Sequence, residues 1–311
     1  MSVLLKGMDR IFLCRPTLFY AIWPFFLTGY WEALGGSRIL LAIDHPGRFI
    51  LAVSALTLIM AGAFILNQIR DIVTDRQNGK LFLLADGMIS AREAYVEAAF
   101  LVLAGLLAGF FTGMRIGVEL AVLFIIAGLL YNYPPAQWKD RPVAGLIANG
   151  TGGLLTYQLG RMAAGAGVWI SPHVIPFTMA WMAVYLNTTL PDREGDAQTG
   201  KRTFAVAYGE EAAMLWAFIF EVFVIVSALI LRQWLILCVG CLAAPFFAWA
   251  AYRKKTHLAT RATKASILLL SLAVCLFLPW YLPVMAAVFL TARWYYMKRF
   301  NFSYPHLKAT S

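Results

Sequence analysis

The chain has 311 residues, of which 61% are hydrophobic and 14% are charged, and its formal net charge is +10. Its mean hydropathy is +0.70, and apolar runs of bilayer-spanning length recur from end to end, which excludes a water-soluble domain. The basic residues lie in short clusters between these runs, as expected for loops that face anionic lipid and phosphorylated substrates. The composition therefore predicts an all-α, polytopic membrane protein, folded as one domain over residues 1–311, without a nucleic-acid partner.

The apolar runs predict about nine membrane helices. The first eight are expected at about residues 16–31, 49–66, 95–112, 117–133, 143–159, 174–190, 212–231 and 234–252. The uncharged segment 265–292 contains Pro279 and Pro283, so it forms either one long span or a ninth span and a short tenth. Lys6, Arg10 and Arg15 precede the first span and predict a cytoplasmic N-terminus. No cleavable signal peptide is evident, and the expected location is the plasma membrane of a prokaryote.

A polar segment with paired carboxylates follows the second expected span, and a second such segment follows the sixth. Asn67, Asp71 and Asp75 are spaced four residues apart, so on a continuing helix their side chains share one face. Five positions of the first segment recur with the same residue in the second, at a constant offset of 121 residues. The matched pairs are Asp71 and Asp192, Asp75 and Asp196, Gln77 and Gln198, Gly79 and Gly200, and Lys80 and Lys201.

Two carboxylates on one helix face can share a hard cation. Magnesium prefers a few protein carboxylates together with water and substrate phosphates, which is what two facing motifs offer. A single DxxxD is more often an ordinary solvated helix end, but its repetition favours a metal site, since carboxylates this close repel one another without a cation. The expected topology places both motifs and the loop 132–142 at one cytoplasmic mouth, where basic residues would neutralise a metal-bound diphosphate.

These motifs resemble those of the UbiA superfamily of intramembrane prenyltransferases. The segment from Asn67 to Asp75 is similar to the family's NxxxDxxxD motif, and Asp192 to Asp196 is similar to its second DxxxD motif. Arg15-Pro16 and the segment from Tyr131 to Pro135 also fit the family, and the resemblance covers the whole chain. Within the superfamily the chain is most similar to the branch of homogentisate prenyltransferases and chlorophyll synthases.

The resemblance implies a ring of nine helices around a central cavity, with Mg²⁺ and diphosphate beneath a cytoplasmic cap. It implies four catalytic aspartates, Asp71, Asp75, Asp192 and Asp196, which hold the metal together with Asn67. Contacts with the prenyl diphosphate are expected from a further set of side chains: Asn67, Arg76, Lys80, Lys139, Arg141, Lys201 and Arg202. Two features depart from the family pattern, namely Thr188-Thr189 before the second motif and the segment 81–85 after the first.

Other polar and aromatic side chains allow two interpretations. Tyr131, Tyr157 and Tyr185 would shield a carbocation if they face the cavity, although ordinary aromatic packing is the commoner role. Tyr131 is also a candidate substrate contact. Glu221 lies well inside the seventh expected span, where an ionisable group either serves function or forms a hydrogen bond with a neighbouring helix.

The predicted activity is Mg²⁺-dependent transfer of an isoprenyl group from a prenyl diphosphate to a lipophilic acceptor, aromatic or lipid. Two alternatives stay open. An intramembrane terpene cyclase of the same superfamily would ionise the same donor without an acceptor. In a cation-coupled transporter the acidic residues would bind the coupling cation. Most expected spans lack a charged residue near their middle, which argues against a transporter.

Overall fold

The computed structural model describes residues 3–79, 82–167 and 170–305, and within these ranges the chain forms helices, turns and loops without a β-strand. In chain order the helices are α1 (Val3–Leu13), α2 (Phe19–Ala33), α3 (Pro46–Gln77), α4 (Phe82–Ala85), α5 (Ala91–Thr112), α6 (Met114–Phe124), α7 (Pro142–Ala163), α8 (Val174–Thr188), α9 (Arg193–Gln198), α10 (Phe204–Tyr208), α11 (Glu210–Ile230), α12 (Trp234–Arg253), α13 (Thr256–Phe277) and α14 (Tyr281–Phe300). Two 3-10 turns, Pro16–Leu18 and Trp138–Asp140, and a π-helical segment, Ile125–Leu130, occur between them. The prediction of an all-α protein is confirmed.

Five of the described helices, α3, α5, α11, α12 and α13, are long and apolar enough to cross a membrane. The number rises to six if the bent pair formed by α1 and α2, with an angle of 41° between them, counts as one span. Length and composition of the described residues therefore support fewer spans than the nine expected. The reason is visible in the remaining helices, since α8 has only 15 residues and α7 is rich in glycine.

The apolar segment after residue 265 is divided between two helices. α13 ends at Phe277, α14 begins at Tyr281, and Pro279 lies in the turn between them, where its ring prevents a continuous helix. α14 has 20 residues and continues through Arg293 to Phe300, so it is longer than the short tenth helix that the sequence suggested.

α3 carries the first acidic motif beyond the apolar part of its length. With 32 residues it is about 48 Å long, whereas the hydrocarbon core of a bilayer is about 30 Å thick. Asn67, Asp71 and Asp75 occupy its last turns on one face, as their spacing predicts. Asn78 ends the helix through backbone hydrogen bonds from its N–H to the carbonyl groups of Arg76 and Thr74.

The long helices surround a central cavity. α3 packs against α5, α7 against α8, and α11, α12 and α13 pack in succession, while contacts of α2 with α7 and α13 join distant parts of the chain. Glycine permits the close approach of α2 and α7. A Cβ atom at Gly160 would lie 1.9 Å from the carbonyl oxygen of Phe26, and one at Gly29 would lie 2.1 Å from that of Tyr157. The two backbones therefore touch at the end of the ring opposite the acidic motifs.

Candidate active site at the polar mouth of the cavity

The cavity inside the ring has a volume of about 430 Å³ and two chemically different parts. Its polar mouth is lined by Asn67, Asp71, Asp75, Asn78, Tyr131, Lys139, Asp140, Asp192, Asp196, Lys201 and Thr203. Its inner walls are mainly apolar and include Phe25, Met60, Ala63, Phe64, Val224, Ile236, Val239 and Leu270. An anionic group would be held at the mouth, whereas a hydrocarbon would fill the interior.

Asn67 and Asn132 connect the first motif to the loop that follows the π-helical segment. The Asn67 Nδ2 atom donates to Asp71 Oδ2 at 3.0 Å and to Asn132 Oδ1 at 2.9 Å. Asn132 is fully buried and donates to the carbonyl groups of Ala127 and Gly128, both at 3.0 Å. The π-helical turn thus fixes Asn132, and Asn132 in turn fixes the orientation of the first motif.

Two lysines converge on Asp71. Lys139 Nζ and Lys201 Nζ each lie 2.6 Å from Asp71 Oδ1. The side chain of Lys139 is only 7% exposed, that of Lys201 14% and that of Asp71 13%. Burial lowers the pKa of Lys139 below its ordinary value, and the attraction of Asp71 only partly opposes this effect. Burial also acts to lower the pKa of Lys201, but the carboxylates of Asp71 and Asp196 outweigh it, so that pKa is raised. Lys201 is therefore the more firmly charged of the two.

The two motifs meet at the mouth. Asp192 precedes the short helix α9, which carries Asp196 as a buried side chain. Lys201 Nζ lies 3.7 Å from Asp196 Oδ1, so one ammonium group is shared between Asp71 of the first motif and Asp196 of the second. Thr74 and Thr199 also approach each other, with 3.4 Å between their hydroxyl oxygens. The repeat seen in the sequence is therefore a pair of facing segments in the fold.

The structure separates the basic residues that the sequence grouped together. Lys139 and Lys201 line the cavity, whereas three exposed arginines are not among its lining residues: Arg76, Arg141 and Arg202. Arg76 donates to the carbonyl oxygen of Ala85 from Nε at 2.8 Å, and Arg141 donates to that of Pro135 at 2.9 Å. The predicted contact by Lys80 lies outside the described residues.

The three candidate tyrosines are also divided. Tyr131 and Tyr185 line the cavity. Tyr157 does not; its ring stacks on Phe177 with 4.3 Å between centroids, and its hydroxyl group donates to Glu32. Tyr157 therefore has the ordinary packing role that the sequence left open.

Several residues at the mouth were missed by the sequence reasoning. Three buried atoms that make no hydrogen bond within the described part of the protein, Asn78 Nδ2, Asp140 Oδ1 and Thr203 Oγ1, belong to residues that line the cavity. Asn78 and Thr203 lie three and seven residues after the last aspartate of their motifs, so proximity to the motifs was the available signal. Buried polar atoms without partners mark a place where a polar ligand completes the site.

The donor set of the mouth fits Mg²⁺ bound together with a phosphate ligand. Carboxylate and amide oxygens of five side chains line one space, and the amide and hydroxyl groups without partners suit phosphate oxygens. No three acidic, histidine or cysteine side chains among the described residues lie close enough to hold one ion by themselves. Because Mg²⁺ uses few protein carboxylates and completes its shell with phosphate and water, this arrangement suits it better than a closed, all-protein site.

The chain combines an all-helical fold with two facing aspartate motifs at the mouth of an apolar cavity. The profile of the UbiA prenyltransferase family matches residues 21–266, and the chain belongs to this family. Its long apolar helices and the family fold make it an integral membrane protein.

Two groups of relatives resemble the chain in sequence. The chain is 29% identical to 2-acylphloroglucinol 4-prenyltransferase from Humulus lupulus over 157 residues, which cover 46% of this chain and 37% of the relative. It is 29% identical to digeranylgeranylglyceryl phosphate synthase from Sulfurisphaera tokodaii over 191 residues, which cover 60% of this chain and 66% of the relative. The chain thus spans about one third to two thirds of the length of these relatives.

Solved structures share the fold. A UbiA homologue from Archaeoglobus fulgidus, bound to GPP and Mg²⁺, superposes with a TM-score of 0.67 over 86% of this chain and 99% of its own, at 19% identity. The apo structure of a UbiA homologue from Aeropyrum pernix K1 gives a TM-score of 0.65 over 87% and 98%, at 13% identity.

Proposed function

We propose that the protein is a Mg²⁺-dependent intramembrane prenyltransferase that moves an isoprenyl group from a prenyl diphosphate to a lipophilic acceptor, aromatic or lipid. The observation that carries the proposal is Lys201, whose ammonium group is shared between Asp71 and Asp196 of the two motifs. Strong negative charge thus converges on one point from both motifs, where a bound cation and diphosphate would be accommodated. The names of the sequence relatives support the reaction class, and GPP with Mg²⁺ in the homologous structure supports the donor.

We assign the metal to the side chains of the two motifs, namely Asn67, Asp71, Asp75, Asp192 and Asp196. Bound Mg²⁺ would neutralise the diphosphate and improve it as a leaving group. Lys139 and Lys201 are positioned to donate charge-assisted hydrogen bonds to the diphosphate once metal takes over the charge of Asp71. Arg76, Lys80, Arg141 and Arg202 remain weaker candidates, since the described arginines among them do not line the cavity.

The proposed reaction is a substitution at the allylic carbon. The carbon–oxygen bond to the diphosphate breaks, and its electron pair leaves with the diphosphate. The allylic cation that remains is captured by a carbon or oxygen of the acceptor, which then loses a proton. Tyr131 and Tyr185 line the cavity where their rings can shield the cation, and the apolar inner walls accommodate the isoprenyl chain.

We further propose that the chain is one domain over residues 1–311 in the plasma membrane of a prokaryote, with the mouth on the cytoplasmic side. The nine spans would be α2, α3, α5, α6 with its π-helical continuation, α7, α8, α11, α12 and α13, and α14 would be a tenth. The loops at the mouth carry several basic residues, among them Lys139, Lys201 and Arg202, as the positive-inside rule requires of cytoplasmic loops.

The proposed function is tested by product formation in purified protein. The full chain in lipid nanodiscs would be incubated with radiolabelled geranyl diphosphate and a panel of phenolic and glycerol-lipid acceptors. We expect a prenylated acceptor in the presence of Mg²⁺ or Mn²⁺ and none in excess chelator. Ca²⁺ should restore activity poorly, because it is larger and accepts more ligands in a looser geometry.

Full activity in excess chelator would refute the metal-dependent mechanism. Release of a hydrocarbon or terpene alcohol without any acceptor would identify a cyclase instead. No Mg²⁺-dependent release of diphosphate from any prenyl diphosphate would refute both enzymatic hypotheses.

The contact between the motifs gives a second test. A Cβ atom at Gly195 would lie 2.1 Å from Asn78 Oδ1, so Gly195→Ala forces the Asn78 side chain or α9 to move. Because a displacement of about 1 Å can cost up to about a hundredfold in rate, we expect kcat/KM for the prenyl diphosphate to fall by about that much.

Truncation of the Asn78 side chain should relieve the clash in Gly195→Ala. Asn78→Ala combined with Gly195→Ala should recover the activity of Asn78→Ala alone. Gly47→Ala serves as the control, since no atom lies within 4 Å of a Cβ at that position. Wild-type kinetics in Gly195→Ala would show that the separation of the motifs is not critical.

A further inference from the structure

Glu221 is a buried acidic side chain on the wall of the cavity that the proposed mechanism does not use. It lies on α11, is 3% exposed and lines the cavity. Within the described residues no group forms a hydrogen bond or ion pair with its carboxyl group. The hydrogen bond to a neighbouring helix that the sequence left open is therefore not made there. Instead, its Oε1 atom lies 3.7 Å from the position that a Cβ atom would take on Gly240 of α12.

The depth of Glu221 is about that of Asn67, the innermost residue of the first motif. α11 begins at Glu210, which forms an ion pair of 3.2 Å with Arg193 at the start of α9. Glu221 is 11 residues further along, or about 16 Å deeper. On the other wall, Asn78 contacts Gly195 of α9, and Asn67 lies 11 residues before it, again about 16 Å deeper. Glu221 and Asn67 are thus at about the same level on different helices.

Within the part of the chain that the structure describes, no side chain of the inner walls forms a hydrogen bond with Glu221. Val224, Ile236 and Leu270 are apolar, and a buried carboxyl group without a hydrogen bond is costly. An isoprenyl chain has no hydrogen-bond donor, and a diphosphate is an anion that a second acid would repel. Of the two proposed substrates, only the acceptor can form a hydrogen bond with Glu221 in both protonation states of its carboxyl group.

We propose that Glu221 binds an un-ionised hydroxyl group of the acceptor and selects neutral hydroxylated acceptors over anionic ones. A hydroxyl group can donate to a carboxylate and can accept from a protonated carboxyl group, so it pairs with Glu221 in either state. An acceptor carboxylate pairs only with the protonated form and is otherwise repelled. This inference rests on the proposed prenyl transfer and narrows its acceptor to a phenol or a neutral alcohol.

The test measures acceptor binding without turnover. The full-length protein in nanodiscs, with Mg²⁺ and inorganic diphosphate, would be titrated with 2,4-dihydroxyacetophenone and with monooctyl glycerol ether as neutral probes. The matched anionic probe is 2,4-dihydroxybenzoate, which carries a carboxylate in place of the acetyl group. Isothermal titration calorimetry provides the affinities.

The expected results differ between two substitutions. Wild-type protein should bind at least one neutral probe about tenfold or more tightly than the anion, and Glu221→Leu should lose about tenfold or more of that affinity. Glu221→Gln should retain most of the affinity for the neutral probe but lose the discrimination against the anion. Glu119→Leu is the matched control, since Glu119 is 4% exposed on α6 but does not line the cavity.

Three results would overturn the inference. The first is equal behaviour of the wild type and Glu221→Leu toward the neutral probes, including no binding by either protein. The second is a higher Mg²⁺ requirement for diphosphate release in Glu221→Leu, which would make Glu221 a metal ligand. The third is a selective change in the affinity for geranyl diphosphate, which would place the isoprenyl chain against Glu221.

The two proposals fail separately. If wild-type protein releases diphosphate from geranyl diphosphate but Glu221→Leu binds every probe normally, only the role of Glu221 is wrong. If no prenyl diphosphate is turned over but probe binding depends on Glu221, the assignment of Glu221 to a hydroxyl-binding site is supported and the proposed prenyl transfer is refuted.

Discussion

Asp71→Asn is expected to lower kcat/KM for the prenyl diphosphate by about two to three orders of magnitude. The magnitude is that of removing one preorganised electrostatic group from an active site. Asp71 is the side chain on which Asn67, Lys139 and Lys201 converge, at distances of 3.0, 2.6 and 2.6 Å. The substitution removes the charge of a proposed metal ligand, and with it the anionic partner that Lys139 and Lys201 share.

The choice of asparagine limits the structural damage. Removing one member of a buried ion pair destabilises a protein by about 3–5 kcal/mol, because the remaining charge stays buried without a partner. Asparagine keeps the size of aspartate and an oxygen that can accept from Lys139 or Lys201. Thermal unfolding in nanodiscs would show whether the loss of activity exceeds the loss of folded protein.

Asp86→Asn provides the matched control for Asp71→Asn. Asp86 is an exposed acid shortly after the first motif and does not line the cavity, so its kinetics should stay within about twofold of the wild type. Near-wild-type activity of Asp71→Asn at low Mg²⁺ would refute the role of the first motif in metal binding.

Lys201→Ala is expected to weaken the binding of the prenyl diphosphate by about tenfold to a hundredfold. One charge-assisted hydrogen bond contributes about 1.5–3 kcal/mol, which corresponds to that range. Lys201 is largely buried between Asp71 and Asp196. The effect should appear in the apparent affinity for the diphosphate more than in the affinity for the acceptor.

Arg202→Ala is the neighbouring control for Lys201→Ala. Arg202 has the same charge and adjoins Lys201 in the chain, but it is exposed and does not line the cavity. If both residues serve only to set membrane topology, the two variants will behave alike. Equal affinities in substrate titrations, with insertion checked by cysteine accessibility, would therefore contradict the assigned role of Lys201.

The family and the four aspartates of the candidate site could be recognised from the amino-acid sequence. Asp71, Asp75, Asp192 and Asp196 were found because a four-residue spacing fixes a helix face and because the same spacing recurs after a second apolar run. These are local properties of the chain. The structure places the four aspartates around one cavity, and their roles in metal binding remain predictions.

Which basic and buried polar groups lie beside the four aspartates depends on the tertiary structure. Lys201 and Arg202 are adjacent, yet only Lys201 faces the cavity, because the chain between α9 and α10 turns one side chain inward and the next outward. Arg76 follows Asp75 by one residue, which on a helix rotates it by about 100° and directs it to the carbonyl oxygen of Ala85.

Within the apolar helices, too, the sequence does not distinguish residues that line the cavity from residues that are buried elsewhere. Tyr157 and Tyr185 both lie in apolar runs, but only Tyr185 lines the cavity. Glu221 and Glu119 are both buried acids within apolar helices, and only Glu221 lines the cavity. Which face of a helix lines the cavity depends on contacts with helices distant in the chain, and no local pattern of an all-round apolar helix encodes those contacts.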